Sequence, residues 1–335
     1  QSVMALTLFD GYSSQLVLPV EKVFAIPEGI SEAQAAGFPT VFLTAWFALC
    51  EQARSGKGDA VLIHSAAGGV GSALCQLAAM RGCDVVGVVG GAHKTSVARQ
   101  AGASVVIDKS SQPLWPEAEK AAPQGYQAIF DANGVSTLGQ SYEHLGPMGR
   151  LVIYGFHSML PRTGGKPNWL KLARDWLRTP RFNPLRMTQE NRSVMACNLS
   201  FLGENADYLR QGMLELLGWL AEGKIRPAPV TEYAFEDVAS AHRDIESGQT
   251  TGKLVLTGEG EFLYVALDGN GTVARINPGT MMANLTFAVG TSPSYGTLYA
   301  ADMCAVAGQP KLVVISQKRK ATSPEHNGVA VYDNG

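Results

Sequence analysis

The sequence predicts an α/β fold built on a doubly wound parallel sheet, followed by a small all-β C-terminal segment. Three observations lead there. Between Ala60 and Gly155, short apolar runs bounded by glycine or charge alternate with stretches of helical periodicity. That is the pattern of parallel strands covered by helices on both faces. A glycine-rich stretch, Ser65-Ala66-Ala67-Gly68-Gly69-Val70-Gly71, joins the first of these strands to the first of these helices. Beyond Gly258 the long helical patterns stop and six short β-type runs follow one another, as in a separate all-β unit.

Taken in order, Val3–Leu8 and Gln15–Pro19 read as strands around an Asp10-Gly11 turn, with Lys22–Ile26 as a third. Ser31 with Gln34 three residues on is a capping box, so a helix starts there. Thr40–Cys50 is apolar at almost every position and reads as a buried helix. Strands are expected at Ala60–Ser65, Asp84–Val89, Ser104–Asp108, Ala128–Ala132 and Arg150–Gly155. The helices between them are Gly69–Arg81, Thr95–Ala101, a short one ending at Ala118–Ala122, and Leu138–His144.

Lys166–Thr179 follows as a helix with Trp169, Leu172, Ala173, Trp176 and Leu177 on one side, and Tyr208–Glu222 as another amphipathic helix. Thr231–Phe235, Val238–Ser247 and Leu254–Thr257 form a strand, helix, strand ending, and Gly258–Glu261 a linker. The tail offers strands at Phe262–Leu267, Thr272–Ile276, Leu285–Val289, Thr297–Ala301, Lys311–Ser316 and Val329–Tyr332. Asp268–Gly271 and Asn327-Gly328 are read as turns between them.

Composition narrows the function classes. The 335 residues are 46% hydrophobic and 17% charged, with a net charge of −2. Extended disorder is excluded, and no basic field exists to hold nucleic acid. The length suits two or three domains. Five widely spaced cysteines without a CxxC pair exclude a zinc lobe and a dense disulfide framework. Reduced thiols and a cytoplasmic location are expected. Ala60–Met80 is long and apolar enough to suggest a membrane span. Its central glycines and polar residues fit a strand, turn and helix better, so no transmembrane segment is expected. No signal peptide opens the chain, and its start at Gln1 reads as that of a processed chain or a fragment.

The glycine stretch carries the chemistry. After a strand and before a helix, Ala67, Gly68, Gly69, Val70 and Gly71 would cradle a dinucleotide pyrophosphate against free helix N–H groups. An NAD site usually places an acid at the end of the second strand to bind the ribose 2′-hydroxyl. Here that strand ends Val89-Gly90-Gly91-Ala92-His93-Lys94. Small residues leave room for a 2′-phosphate and Lys94 can neutralise it, so the expected cofactor is NADPH. The alternative is that Lys94 is a solvated lysine of a helix's first turn. Gly248–Lys253 resembles a P-loop but is one residue short and is followed by Leu254. The six histidines show no ligand spacing, so no metal is expected.

Several segments together resemble one family. They are Val41–Leu49, Val61–Gly71, Gly102-Ala103 before Val106-Ile107-Asp108, Gly149–Gly155 and Gly252–Leu256. From Val20 to Thr257 the chain resembles the zinc-independent medium-chain dehydrogenase/reductases of the quinone oxidoreductase, or zeta-crystallin, type. The Asn168–Leu202 stretch looks most like the vesicle amine transport protein branch.

The resemblance implies a Rossmann-type sheet and an incomplete GroES-like β-barrel domain. Residues 1–40 would be part of that barrel, 41–224 the dinucleotide-binding domain, 225–258 the return to the barrel, and 259–335 a β-rich tail. It implies NADPH-dependent hydride transfer to a quinone, or to an activated alkene or carbonyl, in a homodimer. Asn133, Tyr154 and Gly155 would lie beside the cofactor, and Thr44 near the nicotinamide. Tyr154 and Thr44 are then the candidates for hydrogen-bonding the acceptor or the carboxamide, the alternative being that Tyr154 is a packing aromatic.

Family members carry about half a barrel before the point where this chain starts, so part of the active-site wall is expected to be missing. A nucleotide-binding scaffold without turnover is the second reading, and a polyketide-type enoyl reductase acting on a thioester the third. The tail weakly resembles a β-propeller blade, cut short, and is expected to contact another protein.

Overall fold

The computed structural model describes residues 2–7, 11, 18–159, 169–202, 205–257, 263–267, 271–277, 282–292, 296–306, 309–318 and 326–333. Asp10, Gln15–Val17, Lys166–Asn168, Gly258–Phe262 and Asp268–Asn270, which carry parts of the strands, turns, helix and linker expected above, lie outside them. Two compact units form, one of residues 29–255 and one of residues 1–28 with 256–335.

At the start of the chain β1 (Val3–Ala5) and β2 (Val23–Ala25) pair antiparallel, Met4 opposite Phe24. The larger unit then opens on the Ser31 capping box: Ser31 Oγ accepts from the Gln34 N–H and Gln34 Oε1 from the Ser31 N–H. This starts α1 (Glu32–Gly37), and Pro39 at the first helical position starts α2 (Pro39–Trp46). The chain continues as a π-type helix through Phe47–Ala53. The stretch Glu32–Ala53 is the one helical run among the described residues long and apolar enough to cross a membrane, and 67% of its apolar window is buried inside the protein. Ala60–Met80, the run singled out in the sequence, is a strand, turn and helix as expected.

Six parallel strands follow. They are β3 (Ala60–Ile63), β4 (Asp84–Val89), β5 (Val105–Asp108), β6 (Tyr126–Asp131), β7 (Leu145–Ile153) and β8 (Ser193–Ala196). Their order across the sheet is β5-β4-β3-β6-β7-β8. The order reverses direction between β3 and β6, and ligands of such sheets bind in the crevice above that switch. Val61, Leu62, Ile63, Ile129, Phe130, Leu151 and Val152 have no exposed surface. A strand apolar at every position is what burial on both faces demands.

The helices between the strands are α3 (Gly69–Met80), α4 (Thr95–Gln100), α5 (Leu114–Ala121) and α6 (Leu138–Glu143). Then come α7 (Trp169–Arg178), α8 (Pro184–Glu190), α9 (Ala206–Ala221), β9 (Val230–Ala234), α10 (Val238–Ser247) and β10 (Lys253–Thr257), with β9 and β10 paired. Trp46 ties α2 to α9 by donating its indole N–H to Glu215 Oε2 at 2.8 Å.

On α7, Trp169, Trp176 and Leu177 are 76, 64 and 70% exposed, while Asp175 turns inward. Asp175 lies 3.1 Å from Lys171 and 3.3 Å from Arg174 of the same helix. Two expectations, at β7 and at Asn327-Gly328, need correction. Strand β7 begins at Leu145, five residues before the expected Arg150, through an irregularity where Met148 takes a left-handed φ of 61°. Asn327-Gly328 is not a turn. Both residues lie inside a strand, with Gly328 opposite Gln317 and a register shift next to it.

The tail residues form two three-stranded antiparallel sheets. One holds β11 (Leu263–Leu267), β12 (Thr272–Asn277) and β13 (Met282–Ala288). After a small hairpin of β14 (Thr291–Ser292) and β15 (Gly296–Thr297) comes the other, of β16 (Tyr299–Val306), β17 (Gln309–Lys318) and β18 (His326–Asp333). The Gln317 side-chain amide joins the two by donating to the Val289 carbonyl at 2.8 Å.

Two features at the C-terminal ends of β3, β6 and β7 position everything above the sheet. The first is the turn from β3 into α3. Ser65 adopts a left-handed φ of 55°, and the chain doubles back so closely that a Cβ on Gly71 would lie 2.1 Å from the Ser65 carbonyl oxygen. The second is a buried polar network. Asp131, at the end of β6 and without exposed surface, accepts on Oδ2 from Ser141 Oγ at 2.8 Å. Ser141 Oγ lies 3.1 Å from His64 Nε2, and the His64 carbonyl accepts from the Tyr154 hydroxyl at 3.2 Å.

Gly71→Ala is expected to destabilise the fold by about 3 kcal/mol or more, because backbone must move to admit the methyl group. A urea titration of the two proteins checks this, and a loss under about 1 kcal/mol is too small for a backbone clash. Burial pushes the His64 imidazole from 6.5 down to about 4, outweighing the attraction of Asp131. Between those values the unfolded chain holds the extra proton. Stability is therefore complete above the window and falls as pH drops through it, by as much as about 3 kcal/mol in all. Urea midpoints at about pH 7.5 and about pH 5 should differ more for the wild type than for His64→Gln, and equal differences would remove His64 as the cause.

Candidate functional site: a dinucleotide groove

The groove lies above the strand ends where the sheet order reverses. Its floor is the Ser65–Gly71 turn. Gly68 stands at the N-cap of α3 with extended backbone and no side-chain cap. The first N–H groups of a 12-residue helix therefore open on the groove, where they and the helix dipole favour an anion. Ala67 is buried and Val70 half-buried. Gly69 presses on Val41 of α2, a Cβ there standing 3.1 Å from Val41 Cγ2.

A second segment closes on this turn. The Gly252 N–H donates to the Ala67 carbonyl at 2.9 Å, and Gly68 bridges to Gly252. Gly252 has a φ of 62°, and a Cβ on it would lie 2.0 Å from the Pro229 carbonyl oxygen. Gly248–Lys253, which looks like a failed P-loop in the sequence, is thus a strap beside the glycine turn.

Lys94 lies just after β4 and is half-buried. Its ammonium donates to the Gly248 carbonyl at 2.5 Å, at the C-terminal end of α10, and His93 Nε2 lies 3.1 Å from the Gln249 carbonyl. Burial, then repulsion from Lys109, lowers the Lys94 pKa. Two positive charges therefore share one corner of the groove, and an anion there would relieve their repulsion. Asp108, at the end of β5, accepts on Oδ1 from the Ser110 N–H and hydroxyl at 3.0 and 2.7 Å. Those bonds hold its carboxyl below the usual range although burial opposes them.

On the other side of the switch, Asn133 is nearly buried and its Oδ1 accepts from Ser65 Oγ at 3.4 Å. Its Nδ2 meets no acceptor among the described residues, a costly state for a buried donor unless a ligand supplies one. Gly155 lies against the Ala132 main chain. The Tyr154 hydroxyl is engaged with the His64 carbonyl, and burial raises its pKa. Thr44 sits one helical turn beyond Val41, and its hydroxyl donates to the Thr40 carbonyl at 2.7 Å. The structure thus links the glycine turn with Asn133 through Ser65 and with Tyr154 through His64. Lys94 joins through the strap. Thr44 shares only the α2 helix that touches Gly69.

The residues fit a bound dinucleotide. An uncapped helix terminus, a turn that admits no Cβ at Gly71, a basic corner and an orphaned amide donor lie along one crevice. Sequence reasoning missed the strap and the Asp131 network. The network had a faint signal, an acid at a strand end followed by Asn133, Gly134 and Thr137, residues that donate to or turn around such a carboxylate.

Comparisons with known proteins agree with this architecture. A family model described as zinc-binding dehydrogenase matches residues 101–256. The synaptic vesicle membrane protein VAT-1 homolog of Danio rerio is 31% identical over 257 residues, covering 77% of this chain and 53% of the relative. Its Homo sapiens counterpart is 31% identical over 256 residues, covering 76% and 64%. The chain thus spans between about half and about two thirds of the length of these curated relatives. The crystal structure of Escherichia coli quinone oxidoreductase complexed with NADPH superposes with a TM-score of 0.58 at 27% identity, covering 71% of this chain and 68% of that one. Strand order, glycine turn and these matches together lead to one assignment: the chain belongs to the zinc-binding-dehydrogenase-like medium-chain dehydrogenase/reductases.

Proposed function

We propose that the groove binds NADPH and serves hydride transfer to a quinone or to an activated alkene or carbonyl, without zinc. The observation that carries the reading is the glycine turn at the uncapped N-terminus of α3, with the unpaired Asn133 amide across the switch from it. NADPH, when bound, supplies the hydride; the protein's part is to hold and orient. Gly68–Gly71 and the first N–H groups of α3 would receive the pyrophosphate. Lys94, with Lys109 near enough to repel it, would receive the 2′-phosphate, which would relieve that repulsion. Asn133 would hydrogen-bond the nicotinamide half. Thr44 and Gly155 are proposed to line the space beside the ring.

A homodimer belongs to the same reading. It is supported by β8 as the outer strand of the sheet and by the exposed apolar side of α7. A cytoplasmic location is supported by Cys50, Cys75, Cys83 and Cys197, which are free thiols. The vertebrate relatives are named for a synaptic vesicle membrane.

A second reading, a nucleotide-binding scaffold without turnover, is favoured by one observation. The Tyr154 and Thr44 hydroxyls both already donate to main-chain carbonyls, so neither directs its proton toward a substrate. In an assay of NADPH oxidation with a small quinone, turnover supports the enzyme, and binding without turnover supports the scaffold.

The cofactor reading is tested by dissociation constants. NADPH is expected to bind at least about 10-fold more tightly than NADH, the worth of one good ion pair in a partly desolvated corner. Lys94→Ala is expected to erase most of that preference while leaving NADH nearly unchanged. Equal affinity for the two cofactors in the wild type would contradict it.

A further inference from the structure

We propose that Asp131, backed by Ser141 and His64, is a positioning residue that sets Asn133 for the nicotinamide half of the cofactor. The inference rests on the NADPH reading above. It starts from how many donors one buried carboxylate gathers. Oδ1 accepts from the Asn133 N–H at 2.8 Å, the Gly134 N–H at 3.1 Å and the Thr137 hydroxyl at 3.0 Å. Oδ2 accepts from Ser141 Oγ at 2.8 Å. Four donors on one carboxylate fix the main chain from Ala132 to Thr137 from below. The neutral imidazole of His64 lies beside Ser141, with Nε2 3.1 Å from Ser141 Oγ and 3.7 Å from Asp131 Oδ2. Through the Tyr154 hydroxyl on the His64 carbonyl, the same cluster reaches β7.

The cluster is thus a brace beneath the side of the sheet that follows the switch. In a doubly wound sheet each half of a dinucleotide lies over one half of the strands. The glycine turn, β4 and Lys94 belong to the first half, and the loop after β6 to the second. What the brace presents there is the Asn133 side chain, nearly buried and with Nδ2 unpaired. A buried amide can serve a ligand only if its backbone is fixed, and the Asn133 backbone is fixed by Asp131. A purely structural carboxylate would stabilise both halves of the groove alike, whereas a positioning one acts on the second half alone.

Asp131→Asn keeps the shape but must turn an amide NH2 toward either Ser141 or the three donors on the loop side. Ser141→Ala is the milder change, removing one donor and leaving the loop contacts. The test compares binding of NADPH with that of adenosine 2′,5′-bisphosphate, which carries only the adenine half. For Asp131→Asn the NADPH dissociation constant is expected to rise about 10-fold or more, with the bisphosphate constant within about 2-fold of wild type. Ser141→Ala should show the same split at smaller size. Equal losses for both ligands, or no loss for either, would overturn the proposal and leave the NADPH reading standing. A wild-type protein that binds neither ligand would overturn both.

Discussion

Much of the groove follows from one steric constraint, the approach of α3 to the end of β3. The chain reverses at Ser65 in a left-handed conformation, and Gly71 passes where no side chain fits. That approach leaves the first turn of α3 uncapped and facing the crevice. It also frees the Ala67 carbonyl for Gly252, so the strap that takes the Lys94 ammonium is seated by the same turn. On the far side, Ser65 reaches Asn133, and the His64 carbonyl takes the Tyr154 hydroxyl. Small residues at the turn are therefore a geometric requirement, and the electrostatics are built on top of it. Close-packed interiors transmit such constraints because few voids exist to absorb them.

The charges above the sheet divide in two. On the first half, the positive charges of Lys94 and Lys109 repel one another and, after burial, lower the Lys94 pKa. On the second half the buried carboxylate of Asp131 is spent on donors of its own chain. An anionic ligand is favoured on the first half and a neutral hydrogen-bonding one on the second. Phosphates at one end and a carboxamide ring at the other match that division.

The parallel sheet was legible because burial on both faces writes continuous apolar strands, as in Val61–Ile63 and Val85–Val89. The cofactor turn was legible because its sterics demand glycine at fixed places. What escaped the sequence depends on contacts between distant residues. The side of α7 that bears Trp169, Trp176 and Leu177 is exposed while Asp175 is buried, and periodicity alone cannot say which side of an amphipathic helix is covered. Strand β8 is four residues long and lies beyond a helix that the sequence pattern does not single out, although Asn183-Pro184 is a sound start signal for it. Asn327-Gly328 carries turn chemistry, yet pairing with β17 holds it in a strand. The Asp131 network joins β3, β6, α6 and β7, and only the fold brings those residues together.

The central claim is that one preformed groove, spanning both halves of the sheet, accepts the whole of NADPH. Amide hydrogen exchange with and without NADPH tests it most directly, because each amide reports its own local opening. Slower exchange is expected at Ala66–Ala73 and at Ala132–Thr137 together, with the tail strands from Leu263 onward unchanged. Protection confined to the tail, or absent from both loops at saturating NADPH, would contradict the account.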